Sequence, residues 1–223
     1  MKGKYMKGLL IVAIMVLGLL YIDKKEREQG LQPSENKSLI KGYRGDKYSE
    51  IYLAGGCFWG VEAYMERVNG VIDVTSGYAN GTTENPSYED VIFNDTGHAE
   101  TVHVKYDANV IDLQTLLEYY FKVIDPTSIN KQGNDMGSQY RTGIYYVNEE
   151  DKDIIEKVIS KQQKDYEEEI VVEVLPLDNY YLAEDYHQDY LENNPTGYCH
   201  IDLNKANEKV EEENENDWYK SWR

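Results

Sequence analysis

The chain has 223 residues, enough for one sizeable domain with appended segments. Its 41 acidic and 23 basic residues give a formal charge of −18, so no basic surface is available to neutralise phosphates, and we expect no nucleic-acid partner. The two cysteines, Cys57 and Cys199, are too few for a disulfide framework. The cysteines and the four histidines follow no zinc-binding spacing, so we expect neither a metal nor a cofactor.

Residues 1–25 have the pattern of a membrane-targeting segment. Lys2, Lys4 and Lys7 precede an apolar run at residues 8–22. The run is shorter than the roughly 20 residues of a spanning helix, yet no clear cleavage site follows it. We therefore favour an uncleaved N-terminal membrane-anchor helix over a cleaved signal peptide. A large domain after a short first segment is usually exported, so we expect a membrane-anchored, extracytoplasmic domain, or a secreted one if the segment is cleaved.

Composition divides the remaining chain into three parts. Residues 26–47 are polar, lack a sustained apolar period and predict a linker. Residues 48–203 contain most of the regular apolar patterns and predict one globular domain. Residues 204–223 are strongly acidic before three closing aromatic residues, which predicts an acidic C-terminal tail.

Strand and helix patterns alternate within the predicted domain. Apolar alternation and β-branched residues predict strands at residues 51–54, 70–78, 101–106, 143–147 and 171–176. Helical spacing predicts helices at 61–68, 113–124, 149–167 and 183–191, and a short one that begins at Ser87. Residues 125–140 predict a long loop. Alternating strands and helices indicate an α/β fold.

The GGCFWG stretch at residues 55–60 is the strongest chemical signal in the sequence. It follows a predicted strand and precedes a predicted helix, so we expect Cys57 at a strand-to-helix turn. Its glycines allow a tight turn and a close approach of the backbone. A helix N-terminus favours negative charge, so we expect a lowered pKa for the Cys57 thiol and a reactive thiolate. This signal alone leaves several classes of thiol enzyme open.

The same stretch resembles the active-site motif of peptide methionine sulfoxide reductase A. Six further stretches resemble that family in its own order: SGYA (76–79), NPSY (85–88), TGHAE (96–100), GNDMGSQYR (133–141), AEDYHQ (183–188) and NPTGYC (194–199). The resemblance covers nearly all of residues 50–202, and the motifs together are highly specific. It implies a two-layer α+β plait of the ferredoxin-like, split βαβ type.

The resemblance also implies roles for individual residues. Cys57 is the implied nucleophile that attacks the sulfoxide sulfur, Glu100 the implied proton donor and Cys199 the implied resolving cysteine. A carboxyl group in an apolar pocket keeps its proton near neutrality, so we expect a raised pKa for Glu100. The implied substrate-binding residues are Phe58, Trp59, Tyr88, Asp135 and Tyr140. In the family the two tyrosines donate to the sulfoxide oxygen, the other two aromatic residues surround the methyl group, and the aspartate positions the substrate.

The implied activity is reduction of methionine-S-sulfoxide, free or in oxidised proteins. No further cysteine follows Cys199, so a Cys57–Cys199 disulfide is expected as the last oxidised state. A thioredoxin or a thioredoxin-like donor would then reduce it by exchange, and an exported domain would need an extracytoplasmic donor. Two alternatives remain open: a thiol-dependent peroxidase and a membrane-tethered, non-catalytic binding module.

Overall fold

The computed structural model describes residues 48–210. The predicted anchor at residues 1–25, the predicted linker at residues 26–47 and residues 211–223 of the predicted tail lie outside this range. Between residues 48 and 210, no helix has the length and apolar character needed to cross a membrane.

The described residues form eight strands and five α-helices. The strands are β1 Ser49–Gly55, β2 Val71–Ala79, β3 Ala99–Tyr106, β4 Lys131–Gln132, β5 Asp135–Met136, β6 Thr142–Tyr146, β7 Glu173–Pro176 and β8 Tyr180–Leu182. The helices are α1 Phe58–Met65, α2 Tyr88–Phe93, α3 Leu113–Phe121, α4 Glu149–Gln162 and α5 Tyr190–Asn193. Four 3₁₀ turns lie at Ser138–Tyr140, Gln163–Asp165, Asp185–His187 and Leu203–Asn207.

Six strands form the main sheet in the order β7-β6-β1-β3-β2-β8. Strands β6, β1, β3 and β2 pair antiparallel, and β7 joins β6 in parallel. The predicted mixed α/β fold is therefore confirmed. The four inner strands have the order of a split βαβ plait, with α1 between β1 and β2 in the chain and α3 between β3 and β6.

The two faces of β1 contribute to different apolar clusters. Ile51 and Leu53 are completely buried in the main core with residues of α1 and α3. Tyr52 and Ala54 point to the opposite face and join a smaller cluster that includes Tyr145. This alternation follows from the two-residue period of a strand. Burial on both faces holds the end of β1 in place, and the GGCFWG turn begins at that end.

Local capping signals set the starts of two helices as predicted. The Ser87 hydroxyl accepts from the Asp90 N–H, and the Asp90 carboxylate accepts from the Ser87 N–H, which completes a capping box at α2. Asp112 accepts from the Thr115 N–H at the start of α3. Both caps satisfy N–H groups that have no partner inside the helix.

The predicted helix at residues 183–191 is wrong. The structure has a 3₁₀ turn at Asp185–His187, and α5 begins only at Tyr190. Gln188 accepts from the Ser76 N–H at 2.9 Å and donates to the Ser76 carbonyl at 3.0 Å, while Asp189 adopts a left-handed φ of 52°. These long-range bonds to β2 outweigh the local helical pattern. The helix predicted at 149–167 also ends earlier, at Gln162.

Candidate active site

Cys57 lies at the turn from β1 into α1, as predicted. It occupies the N-cap position of α1. The preceding Gly56 has a φ of +87°, and a Cβ built there would lie 2.5 Å from the Cβ of Gln132. Only glycine fits this backbone shape and this close approach. The turn and the 125–140 loop therefore meet directly at the cysteine.

The predicted lowering of the Cys57 pKa is wrong. The residue is only 8% exposed, and burial raises the pKa of its thiol well above the ordinary value. The nearby Glu100 carboxyl raises it further, whereas the N–H groups of Trp59 and Gly60 lower it. The helix N-terminus thus acts in the predicted direction, but desolvation is the larger effect.

Glu100 is a deeply buried carboxyl group beside Cys57. It is 2% exposed, and the Phe58 N–H donates to its Oε2 at 3.0 Å. Burial raises the pKa of Glu100 to about 8, although the Phe58 bond lowers it. The predicted rise is confirmed, so this carboxyl group holds its proton at neutral pH.

The structure brings Tyr88, Tyr140 and Asp135 close to Cys57 and Glu100. Burial raises the pKa of Tyr88 to about 12, with further contributions from Glu100, Cys57 and Asp135. Burial also raises the pKa of Tyr140, with the same three groups and Tyr88 as neighbours. Both phenols therefore stay protonated at neutral pH and offer neutral hydrogen-bond donors.

Phe58 and Trp59 form aromatic walls at the start of α1. Phe58 is 1% exposed and lies 5.0 Å, centroid to centroid, from His187. Trp59 Nε1 donates to His187 Nδ1 at 3.0 Å, and its ring stacks on Tyr190 at 3.7 Å. His187 Nδ1 is therefore the acceptor, so Nε2 carries the ring proton; this buried atom has no hydrogen-bond partner and lies 3.8 Å from Glu184 Oε2.

Cys199 lies in a segment of residues 194–201, called here the C-terminal segment. A Cβ built at Gly60 in α1 would lie 3.3 Å from Cys199 Sγ, which itself donates to the Ile201 carbonyl at 3.2 Å. The Tyr198 hydroxyl donates to Asp135 Oδ2 at 3.1 Å. Both cysteines are free thiols. The fold therefore brings Cys199 against the helix that Cys57 caps.

Comparison with known proteins identifies the family. Residues 49–219 match the model of the peptide methionine sulfoxide reductase family. The chain belongs to this family. It is 39% identical to the reduced form of Mxr1 from Saccharomyces cerevisiae, over 70% of this chain and 91% of that one, with a TM-score of 0.66. It is 35% identical to methionine sulfoxide reductase A of Corynebacterium diphtheriae, over 73% and 82% of the two chains, with a TM-score of 0.63.

The predicted family and the predicted enzyme class, a methionine sulfoxide reductase, are thereby confirmed. Sequence reasoning missed several residues that position the side chains around Cys57. Glu184 accepts from the Tyr78 hydroxyl at 2.8 Å and from the Tyr88 N–H at 2.9 Å, which ties α2 to the wall that carries His187. The AEDYHQ motif contains Glu184 and His187, but a helical interpretation of that stretch gave neither a role.

Arg141 is a second missed contributor to the reductase site. Its guanidinium group donates to the Ser138 carbonyl at 2.9 Å and to the Gly97 carbonyl at 3.0 Å, and it also pairs with Glu173 at 2.9 Å. The bonds to the Ser138 and Gly97 carbonyls join the segments that lead to Tyr140 and Glu100. The only sequence signal was its place at the end of the GNDMGSQYR motif.

Proposed function

We propose that this reductase acts on the S epimer of methionine sulfoxide, free or in oxidised proteins. The observation that carries the proposal is the protonated Glu100 carboxyl group, buried beside the Cys57 thiol at the N-terminus of α1. Sulfoxide reduction needs a nucleophile for sulfur and a proton for oxygen, and this pair supplies both. The roles of the individual residues are part of the same proposal.

In the first step the Cys57 thiol gives up its proton to solvent, its thiolate attacks the sulfoxide sulfur, and Glu100 protonates the oxygen; solvent then returns a proton to Glu100. Tyr88 and Tyr140 donate hydrogen bonds to that oxygen, and their raised pKa values support such a role. The oxygen then passes to Cys57, the sulfide leaves, and Cys57 becomes a sulfenic acid. The step is balanced, since the thiol is oxidised by the oxygen that the substrate loses.

The aromatic residues and Asp135 hold the substrate for this attack. Phe58 and Trp59 surround the methyl group, which favours a methyl sulfoxide over a small polar oxidant. Asp135, half-buried at the edge of the pocket, positions the rest of the substrate. Its bond from Tyr198 links the substrate site to the C-terminal segment.

In the second step Cys199 attacks the sulfenic acid and forms a disulfide with Cys57. The contact between Cys199 Sγ and the Gly60 position supports this role, because the second thiol already lies against α1. An external dithiol donor of the thioredoxin type then reduces the disulfide by exchange.

The site of action is proposed from the sequence alone. Residues 1–25 would anchor the enzyme in a membrane, and the polar residues 26–47 would link the anchor to the domain. The donor would then be an extracytoplasmic thioredoxin-like protein. In this setting the enzyme repairs oxidised methionine in proteins outside the cytoplasm.

Turnover of separated epimers tests the proposed activity. The full chain is incubated with dithiothreitol and either the S or the R sulfoxide of N-acetylmethionine methyl ester, and the sulfide is measured by chromatography. We expect complete consumption of the S epimer and none of the R epimer. Consumption of R alone would overturn the stereochemical proposal. Peroxide turnover without any sulfide would favour the peroxidase, and no turnover of either oxidant would favour the binding module.

A further inference from the structure

His187 is a buried histidine that the proposed mechanism does not use, although it lies among the aromatic residues proposed to hold the substrate. It is 1% exposed. Its ring centroid lies 5.0 Å from that of Phe58, 5.7 Å from that of Trp59 and 4.7 Å from that of Tyr88. Three of the proposed substrate-binding residues are therefore arranged around a single imidazole.

The hydrogen bond from Trp59 fixes the form of this imidazole. Trp59 Nε1 donates to His187 Nδ1 at 3.0 Å. An indole nitrogen can only donate, so Nδ1 carries no proton and the ring is neutral. Burial lowers the pKa of His187, while the nearby Glu184 raises it. Because burial is the larger effect, the ring stays neutral near pH 7 and remains available as an acceptor.

The 3₁₀ turn at Asp185–His187 is tied to strand β2 on both sides of the histidine. Before the turn, Glu184 accepts from the Tyr78 hydroxyl at 2.8 Å. After it, the Gln188 side chain makes two hydrogen bonds with the Ser76 backbone. None of these bonds involves the indole. The acceptor nitrogen is therefore held in place independently of the side chain that it binds.

Trp59 is only partly buried, and its ring has two supports. One is Tyr190, on which the indole stacks with a centroid distance of 3.7 Å and an angle of 14° between the planes. Stacking restrains the plane of the indole but does not select which edge of the ring faces the substrate. The bond to His187 Nδ1 selects that edge, since a turned indole would leave a buried acceptor without its donor.

We propose that His187 is the positioning residue that sets the orientation of Trp59, and through it the preference of the enzyme for a methyl sulfoxide over a larger one. This inference rests on the proposed function, in which Trp59 forms one wall around the substrate methyl group. His187 acts through the indole and takes no part in bond making or proton transfer. One methylene changes kcat/KM by about 10- to 200-fold in a closely fitting site, so discrimination depends on where that wall stands.

Two amide variants imitate opposite ends of the imidazole. His187→Asn places an oxygen near the position of Nδ1 and can still accept from Trp59, whereas His187→Gln places its amide near the position of Nε2. The full chain is assayed with dithiothreitol on the S sulfoxides of N-acetylmethionine methyl ester and of the matching ethionine ester, and kcat and KM are measured for each. The indole N–H signals are followed by NMR of isotope-labelled tryptophan, with that of Trp59 assigned by its loss in Trp59→Phe.

In the parent we expect kcat/KM to favour the methyl substrate by about tenfold or more. His187→Asn should keep this ratio within about twofold and keep the Trp59 signal at its hydrogen-bonded position. His187→Gln should lower the ratio by about fivefold or more, mainly through a higher KM for the methyl substrate, and move the Trp59 signal towards that of a free indole. His103→Gln is the matched control: it replaces a histidine that stacks on Tyr52 at 4.3 Å and should change neither readout.

Equal ratios in His187→Asn and His187→Gln, whether parental or lowered, would overturn the role, because packing rather than the acceptor at Nδ1 would then be decisive. So would a parent that reduces both substrates equally well. If His187→Gln does not fold, as judged by urea unfolding, Trp59→Phe decides: it removes the donor, and a parental ratio there would also overturn the proposal. A parent that forms no sulfide from either substrate would instead overturn the proposed function itself.

Discussion

The two cysteines of this reductase lie in regions of opposite construction. Cys57 caps α1 at the end of β1, a strand that is hydrogen-bonded on both sides. In the part of the chain that the structure describes, no helix or strand lies between Asn193 and Leu203, where Cys199 is found. The C-terminal segment has few backbone hydrogen bonds and is held mainly by side chains, among them the buried Ile201 and the bond between Tyr198 and Asp135.

This difference matches the demands of the two proposed steps. Attack on a sulfoxide needs the nucleophile, the proton donor and the pocket walls in a fixed arrangement, which the sheet and α1 provide. Resolution needs a thiol that can travel, and irregular segments with few backbone bonds open at low cost.

The largest effect is expected when each thiol is replaced in turn. In a single turnover without reductant, Cys57→Ser should form no sulfide, because the nucleophile is lost. Cys199→Ser should form about one sulfide per chain and leave a sulfenic acid, since β1, α1 and Cys57 are intact. Quantified sulfide and the dimedone adduct measure both outcomes. Equal losses of sulfide in the two variants would show that the regions do not act in separate steps.

The next largest effect is expected for Glu100→Gln, which removes the proton donor and keeps its shape. Sulfide formation should fall by about 10²- to 10⁴-fold. In the parent the rate should rise with pH, as thiolate accumulates, until Glu100 loses its proton near a pKa of about 8, and then level off. The variant should lack that break. A pH–rate profile with an unchanged break would exclude Glu100 as the donor.

The sequence predicted those local features that are set by residues close together along the chain. The turn at Cys57 and the caps at Ser87 and Asp112 are encoded locally, so their patterns were sufficient. The pKa of Cys57 was predicted in the wrong direction because burial depth and the approach of Glu100 depend on the folded sheet.

Long-range bonds explain the other failures. Residues 183–191 have a helical pattern, but bonds from Gln188 and Glu184 to distant segments prevent the helix. The residue roles were implied by family resemblance rather than by physical pattern.

A smaller effect, on the free energy of unfolding, is expected when a buried carboxyl group of α1 is replaced. Glu62 on α1 is 1% exposed, its Oε1 has no partner, and burial raises its pKa to about 8 from an ordinary 4.5. The contribution of protonated Glu62 to the free energy of unfolding is therefore complete below pH 4.5. It is lost as pH rises to about 8. Glu62→Gln should gain stability relative to the parent between pH 5 and pH 9, by a few kcal/mol at most.

Urea unfolding of both proteins at the two pH values measures this gain. Glu156→Gln on α4 is the control, since it makes the same charge change where the carboxyl side chain is 58% exposed. A gain as large in the control as in Glu62→Gln would assign the effect to net charge rather than to burial.

The smallest effect is expected for Tyr198→Phe in the C-terminal segment. The variant removes the hydrogen bond to Asp135 at an exposed position, so global stability should change by less than about 0.5 kcal/mol. Disulfide formation should become about two- to threefold faster, because one contact that holds the segment in its resting place is lost. Rapid-quench mass spectrometry measures the rate. A slower rate would mean that Tyr198 guides the segment towards Cys57.

A division of labour between Cys57 and Cys199 underlies both proposed steps. The decisive measurement is a single turnover of the full chain with racemic N-acetylmethionine sulfoxide methyl ester, with sulfide and free thiols counted before and after. We predict one sulfide for every two thiols lost and a disulfide that joins Cys57 to Cys199. Oxidation of Cys57 by peroxide with no sulfide formed from the sulfoxide would contradict the account and favour a thiol peroxidase.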